Sequence, residues 1–377
     1  MNQRAACKSD ILRKFISCRQ RWVFDKAGLQ RQVDQWFQIL PWIQPYYAMK
    51  SNPSPQILRT LSEHPGVGMD AASLQEVALA SKYASKDKTL FTNTHTMPRE
   101  SDKMRACLQD CVDIKVVDSL CEVQKLVQYD IMPAKVLVRT KSNITAAHVK
   151  LDSKFGATQQ EALDIAEFCR EHALPICGVS FHIGSGGEFP RREAYKTALS
   201  YAEPVLDHIR TFLQEDALPV LDIGGGLLYD TDLEEALGFT RGLPYRIIAE
   251  PGRYFSEPAF HLFTQVIAKT DRGLFLDNGV YHELNVFHRD HWTFPAITHT
   301  FCNNVCEEIA ADQYASVEVF GPTCDSYDTI GPTVLPVGVE VGDWILLDNM
   351  GAYTMAGKVD FNGIPSASSR TCLLTDV

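Results

Sequence analysis

From Trp22 to Gly252 short β-rich runs alternate with amphipathic helical stretches, and this rhythm limits the available folds more than any other feature of the chain. The strand-like runs are 45–49 (PYYAM), 66–70 (GVGMD), 89–93 (TLFTN), 113–117 (DIKVV), 135–139 (KVLVR), 176–182 (ICGVSFH), 218–223 (LPVLDI) and 245–249 (YRIIA). Between them, 74–83, 119–129 and 159–172 repeat apolar residues at three- and four-residue intervals, the period of a half-buried helix. Eight strand-then-helix units predict an α/β fold, a (β/α)8 TIM-like barrel.

Beyond Arg253 the helical period fades and β-rich segments follow at 260–268, 273–276, 316–320 and 343–348, so a second, mainly β C-terminal domain is expected. The reading assigns 22–260 to the barrel and 261–377, joined by 1–21, to the β-rich domain. A chain of 377 residues, 45% hydrophobic and 22% charged, is long enough for both.

Motif residues stand directly after the strand-like runs, which in a barrel gathers them on the C-terminal face. Lys50 follows the first, Asp70 ends the second, Arg139 the fifth and His182 the sixth. "GGG" (224–226) of "DIGGG" follows the seventh, and "EPGRY" after the eighth brings Glu250 and Arg253. A lysine in "PYYAMKSNPSP" is ordinarily solvated, and it is this convergence that makes Lys50 a candidate amine for a carbonyl. Glycines let backbone N–H groups approach an anion, while Glu250 and Arg253 add a carboxylate and a cation around a Pro-Gly turn. Together these features suit a phosphorylated aldehyde cofactor with a ring nitrogen. In "SFHIGSG", His182 has the shape to stack on a flat ring, and Ser185 the hydroxyl to meet a phosphate.

Eight motifs in order, "YYAMKSN", "MDAASLQEV", "KFGA", "FHIGSG", "DIGGG", "AEPGRY", "GPTCDSYD" and "NMGAYT", cover about residues 22 to 364. In them the chain resembles the pyridoxal-phosphate-dependent basic amino acid decarboxylases of fold type III, whose barrel is alanine racemase-like, and most of all the eukaryotic ornithine-cleaving branch. The resemblance implies pyridoxal 5'-phosphate bonded to Lys50, with Asp70, Glu76 and Arg139 around it. It implies His182 on the pyridine ring, Glu250 at the ring nitrogen, and Ser185, Gly225, Gly226, Arg253 and Tyr353 on the phosphate. It also implies a homodimer, in which the partner copy supplies Cys324 as proton donor to Cα and Asp325 as a ligand of the distal amine. Asp290 and Tyr281, in "VYHELNVFHRDHW", complete the implied substrate set. Many relatives carry an aromatic residue where this chain has Arg289, which leaves the distal pocket open to question.

The expected reaction is decarboxylation of L-ornithine to putrescine. Lysine or arginine decarboxylation is an alternative, since one methylene in a pocket is worth only about 1–3 kcal/mol. A catalytically inactive homologue resembling the antizyme inhibitors is another. The net charge of -11 argues against nucleic-acid or anionic-membrane partners. Eleven cysteines without a CxxC pair fit a reducing compartment better than a disulfide framework or a zinc site, so no metal is expected. With no apolar run of membrane-spanning length and no secretion signal in "MNQRAACKSDILRK", a cytoplasmic protein is expected.

Overall fold

The computed structural model describes residues 21–185, 189–289, 299–301, 313–365 and 371–374. The chain divides into two units, Gln32–Tyr254 and a second made of Met1–Arg31 with Phe255–Val377. Strand β1 (Trp22–Asp25) belongs to the second unit, and β2 (Ile43–Ala48), β3 (Gly68–Ala71), β4 (Thr89–Phe91), β5 (Ile114–Val117), β6 (Lys135–Arg139), β7 (Ile176–Ser180), β8 (Val220–Asp222) and β9 (Arg246–Ala249) to the first.

Strands β2 to β9 form the expected closed barrel. Every neighbouring pair is parallel, and Ile43↔Ile247 to Pro45↔Ala249 close the ring. Alternate residues fill the interior: Tyr46, Leu90, Ile114, Val116, Leu137, Val220 and Ile248 form one buried cluster. Residues between them face the helices and are equally buried, which is why the strands read as continuous apolar runs. Lys115 shows how strict that outer layer is. Fully buried between Ile114 and Val116, its ammonium donates to the carbonyls of Asn93 and Val116 at 2.7 and 2.8 Å and lies 3.3 Å from Glu122 in the helix Leu120–Gln128. Burial brings its pKa down to about 8 despite that carboxylate.

The second unit is an eight-stranded sheet in which β12 (His299–Phe301), β15 (Trp344–Leu347), β10 (Phe260–Thr270), β11 (Gly273–Leu276), β13 (Tyr314–Phe320) and β14 (Thr329–Pro336) follow one another. Strand β1 pairs antiparallel with β10 and parallel with β16 (Thr371–Leu374). The barrel unit is thus narrower than the expected 22–260 at both ends. Trp22, Val23 and Phe24 are all buried, and Trp22 and Phe24 pack on Phe260 of the sheet unit, so Trp22–Asp25 is a sheet strand and not a barrel entry. Among the described residues, no helix is long and apolar enough to cross a membrane.

At Gly178 on β7, a Cβ would come within 1.9 Å of the Val220 carbonyl oxygen on β8. Gly178→Ala is therefore expected to force β7 and β8 apart and lower stability by roughly 3 kcal/mol, the upper range for overpacking. Chemical denaturation of the variant beside wild type checks this.

Candidate active site

Because every barrel strand is parallel, the residues after their C-terminal ends meet at one face. Lys50 sits in the single turn Met49–Ser51 directly after β2. It is exposed and stands at the rim. Asp70 on β3 is buried, accepts a 2.6 Å hydrogen bond from Thr92 and leaves its second oxygen without a partner among the described residues. Burial and the nearby Glu250 push its pKa up to about 8, against a smaller opposing pull from Lys50. Glu76, third residue of the helix Leu74–Ala80, turns back to accept from the Ala72 amide at 2.7 Å. Arg139 ends β6 and lies over the Phe155 ring at 5.0 Å.

His182 follows β7 by two residues and is half-buried. Its Nδ1 accepts from the Gly184 amide at 2.9 Å, so the neutral ring carries its proton on Nε2. Burial, then the cations Lys50 and Arg139, hold its pKa well below the usual histidine value. A neutral imidazole is suited to stack on a ring rather than pair with an anion. Ser185 bridges to Val149, whose amide donates to the Ser185 carbonyl at 2.9 Å.

The glycine loop is rigid rather than merely flexible. Gly224 and Gly226 have positive φ, 65° and 106°. A Cβ on Gly225 would stand 2.8 Å from the Glu250 carbonyl and 3.1 Å from His182 Nε2. The Glu250 amide donates to the Gly224 carbonyl at 2.7 Å, so the ends of β8 and β9 are tied together across the loop. Among the described residues, the amides of Gly225, Gly226 and Leu227 find no acceptor. Three successive donors of this kind form a cradle for an anion. Glu250 and Arg253, both buried, follow β9 within the same unit.

Asp222, the last residue of β8, was not singled out by sequence reasoning. It is wholly buried, with Oδ1 accepting from the Gly224 amide at 2.9 Å. Burial and the neighbouring Glu250 push its pKa well above the carboxylate range. The signal for it in sequence was an acid at the end of an apolar strand just before the glycines.

In the sheet unit, Asp328 organises the "GPTCDSYD" loop: its carboxylate accepts from the Val280 amide at 2.8 Å and the Thr323 amide at 3.0 Å. This brings Tyr281 to Asp325, to which its hydroxyl donates. That bond and the Tyr327 amide hold Asp325 below its ordinary range, and the same bond pushes Tyr281 up to about 12. Cys324 is exposed, with its amide donating to Asn362 Oδ1 at 3.2 Å. Phe361 stacks on Tyr281 at 4.2 Å. Neither Phe361 nor Asn362 was anticipated; "FNG" reads only as a turn, consistent with the positive φ of Asn362, 57°. Arg289 is exposed, its guanidinium against Gly357, where a Cβ would meet Nη1 at 2.0 Å. Tyr353 has a φ of 60° in the loop after β15. Asp290 lies outside the described residues.

Ten of the anticipated residues thus fall in the barrel unit and four of the described ones in the sheet unit. The family model for the pyridoxal-dependent decarboxylase pyridoxal binding domain matches residues 26–257, and that for the C-terminal sheet domain of the same enzymes matches 204–351. The chain belongs to the pyridoxal-dependent decarboxylases. Within this family it is 32% identical to the chloroplastic ornithine decarboxylase of Nicotiana glauca over 371 residues, 93% of this chain and 83% of that protein. It is 29% identical to antizyme inhibitor 2 of Xenopus laevis over 374 residues, 91% and 78%. Among solved structures, the arginine decarboxylase of Paramecium bursaria Chlorella virus bound to agmatine superposes with a TM-score of 0.83 at 26% identity, covering 98% of this chain and 99% of the other. The lysine/ornithine decarboxylase of Vibrio vulnificus with cadaverine gives 0.78 at 27%, covering 94% of each.

The family's cofactor, pyridoxal phosphate, fits the barrel residues. Three unpaired amides and the buried Arg253 match a phosphate, a neutral imidazole matches a flat ring, and Glu250 supplies a carboxylate for a protonated ring nitrogen.

The Asp70 assignment carries a pH dependence. Its folded pKa, about 8, lies above the unfolded value of 3.8, so its contribution to stability is full below pH 3.8 and is lost as pH rises towards 8. With cofactor removed, the stability of Asp70→Asn relative to wild type is expected to improve steadily from pH 4 to pH 8. Urea unfolding across that range checks it; a constant difference would refute it.

Proposed function

We propose that the protein decarboxylates L-ornithine to putrescine. The observation that carries this reading is the pairing of Asp325 with Tyr281: a carboxylate kept ionised beside stacked aromatic rings suits an alkylammonium group. Similarity to an ornithine decarboxylase over most of both chains supports the same choice. Asp290 is proposed as a second carboxylate for the distal amine. Arg289, lying against Gly357, is proposed to leave that amine's space free.

Roles follow from position. Lys50, at the rim, is the amine that would hold the cofactor aldehyde. Bound pyridoxal phosphate supplies the electron sink for the pair left at Cα when carbon dioxide departs. His182 backs the ring as a neutral stack. Glu250 is the carboxylate that would pair with the ring nitrogen, next to Asp222, whose pKa burial raises well above the carboxylate range. Asp70, Glu76 and Arg139 would lie around the cofactor; the glycine amides, Ser185, Arg253 and Tyr353 would take its phosphate. Cys324 would supply the proton to Cα.

We further infer a homodimer in which Cys324 and Asp325 serve the barrel site of the partner copy, a reading supported by the exposure of Cys324 on its own unit. An inactive role like that of an antizyme inhibitor needs none of Lys50, His182, Glu250 and Cys324, and this chain keeps all four.

Two measurements test these readings. With carboxyl-labelled ornithine, lysine and arginine and a carbon dioxide trap, ornithine is expected to give the highest kcat/KM, with lysine poorer by roughly 10- to 200-fold. Asp325→Ala should then reduce ornithine use by at least 10-fold while cofactor absorbance stays unchanged, the pattern of a lost substrate contact. A preference for lysine or arginine would remove the ornithine reading and keep the decarboxylase. For the dimer, mixing inactive Lys50→Ala and Cys324→Ala chains should restore roughly a quarter of wild-type activity, because half the dimers then carry one intact site of two. Absence of recovery despite subunit exchange would assign Cys324 to its own chain.

A further inference from the structure

The cradle of unpaired amides raises the question of what aims it. Two side chains one turn apart on the helix Arg191–Arg210 reach the loop from the same face. The Tyr195 hydroxyl, fully buried, donates to the Gly225 carbonyl at 2.8 Å. Arg191 Nε donates to the Gly226 carbonyl at 3.0 Å, with its guanidinium 5.2 Å from the Phe189 ring centre. In a trans peptide the N–H points opposite to the C=O. Holding the Gly225 carbonyl toward the helix therefore turns the Gly226 amide away from it, and holding the Gly226 carbonyl does the same to the Leu227 amide. These are two of the three amides without an acceptor. Arg191 Nη2 is also buried, with no partner among the described residues.

We propose that Arg191 and Tyr195 are positioning residues for the cofactor phosphate, fixing two peptide planes so that the Gly226 and Leu227 amides face it. This rests on the pyridoxal phosphate site of the proposed function and is independent of which amino acid is the substrate. Neither side chain need touch the cofactor. Tyr195 acts through orientation alone. Arg191 adds a positive charge behind the loop, which favours the doubly charged phosphate. Nothing in the spacing of "PRREAYKTA" signals this; it emerges only when the helix is seen against the glycines. The two groups are close enough for the cation to draw the Tyr195 pKa down, against a larger rise from burial.

The test uses the full-length holoenzyme and three variants, Tyr195→Phe, Arg191→Gln and Arg191→Lys. Release of cofactor into a large excess of a trapping apoenzyme, followed by absorbance, should quicken by about 3- to 10-fold for Tyr195→Phe and at least as much for Arg191→Gln, the range for one lost hydrogen bond. Reconstitution of the stripped chains with pyridoxal, which lacks the phosphate, should be unchanged in both. Phosphorus NMR of the holoenzyme should show the bound phosphate titrating at higher pH in Arg191→Gln and at the wild-type pH in Arg191→Lys. Release at the wild-type rate in Tyr195→Phe and Arg191→Gln would overturn the proposal. Equal weakening of pyridoxal and pyridoxal phosphate would overturn it too, by reducing both residues to general supports of the barrel. Should Arg191→Gln fail to fold, Tyr195→Phe removes a single oxygen and decides the matter alone. A wild-type protein that takes up no pyridoxal phosphate would instead remove the cofactor reading itself.

Discussion

Closure of eight parallel strands into a ring is the constraint on which the rest of the barrel unit depends. Each strand returns through a crossover and runs parallel to the last, so once β2 pairs with β9 residues distant in sequence are delivered to one rim. Lys50, Asp70, Arg139, His182, the glycine loop and Glu250 need no contacts among themselves to be neighbours. What local structure adds is orientation: the Gly184 amide sets the His182 tautomer, Thr92 holds Asp70, and the Gly224 carbonyl fixes the start of "EPGRY".

The electrostatics of that rim follow from burial more than from pairing. Asp70 and Asp222 sit in the barrel with Glu250 among the causes of their raised pKa, and three ionised carboxyls are not sustained in such a space. His182 is kept neutral by the same low polarity, helped by two cations. A neutral imidazole, a buried carboxylate and a cradle of amides within one barrel unit are consistent with membership of the pyridoxal-dependent decarboxylases.

Much of this was legible in the sequence because buried parallel strands advertise themselves. All eight barrel strands were located to within about two residues at most ends, since both faces are apolar and turn residues follow at once. The sheet unit was harder to read. Strand β14 contains Gly331, Pro332 and Pro336, which argue against a strand, yet it pairs only with β13 on the named path and an edge tolerates a missing donor. Strand β1 was read as the barrel's entry because its partners β10 and β16 lie far along the chain, beyond any local period. For the site, residue types that carry chemistry were visible, while those that hold other groups still were not. Asp222, Tyr195 and Asp328 look like ordinary strand, helix and turn residues until their partners are known. Arg289 was visible as a departure, but only its placement against Gly357 says where its charge goes.

The parallel pairing of β1 with β16 bears on how the chain is made. Residues Trp22–Asp25 leave the ribosome early and their partners Thr371–Leu374 much later. The barrel, whose strands pair with near neighbours in sequence apart from the single closing contact, can assemble during synthesis. Until β10 is made β1 has neither sheet partner, and from there until β16 is made one edge of this apolar strand, with Trp22, Val23 and Phe24, still lacks its pairing. Nascent chains stalled between residues 260 and 370 should accordingly be the ones that engage chaperones, with release marking the moment the last strand docks.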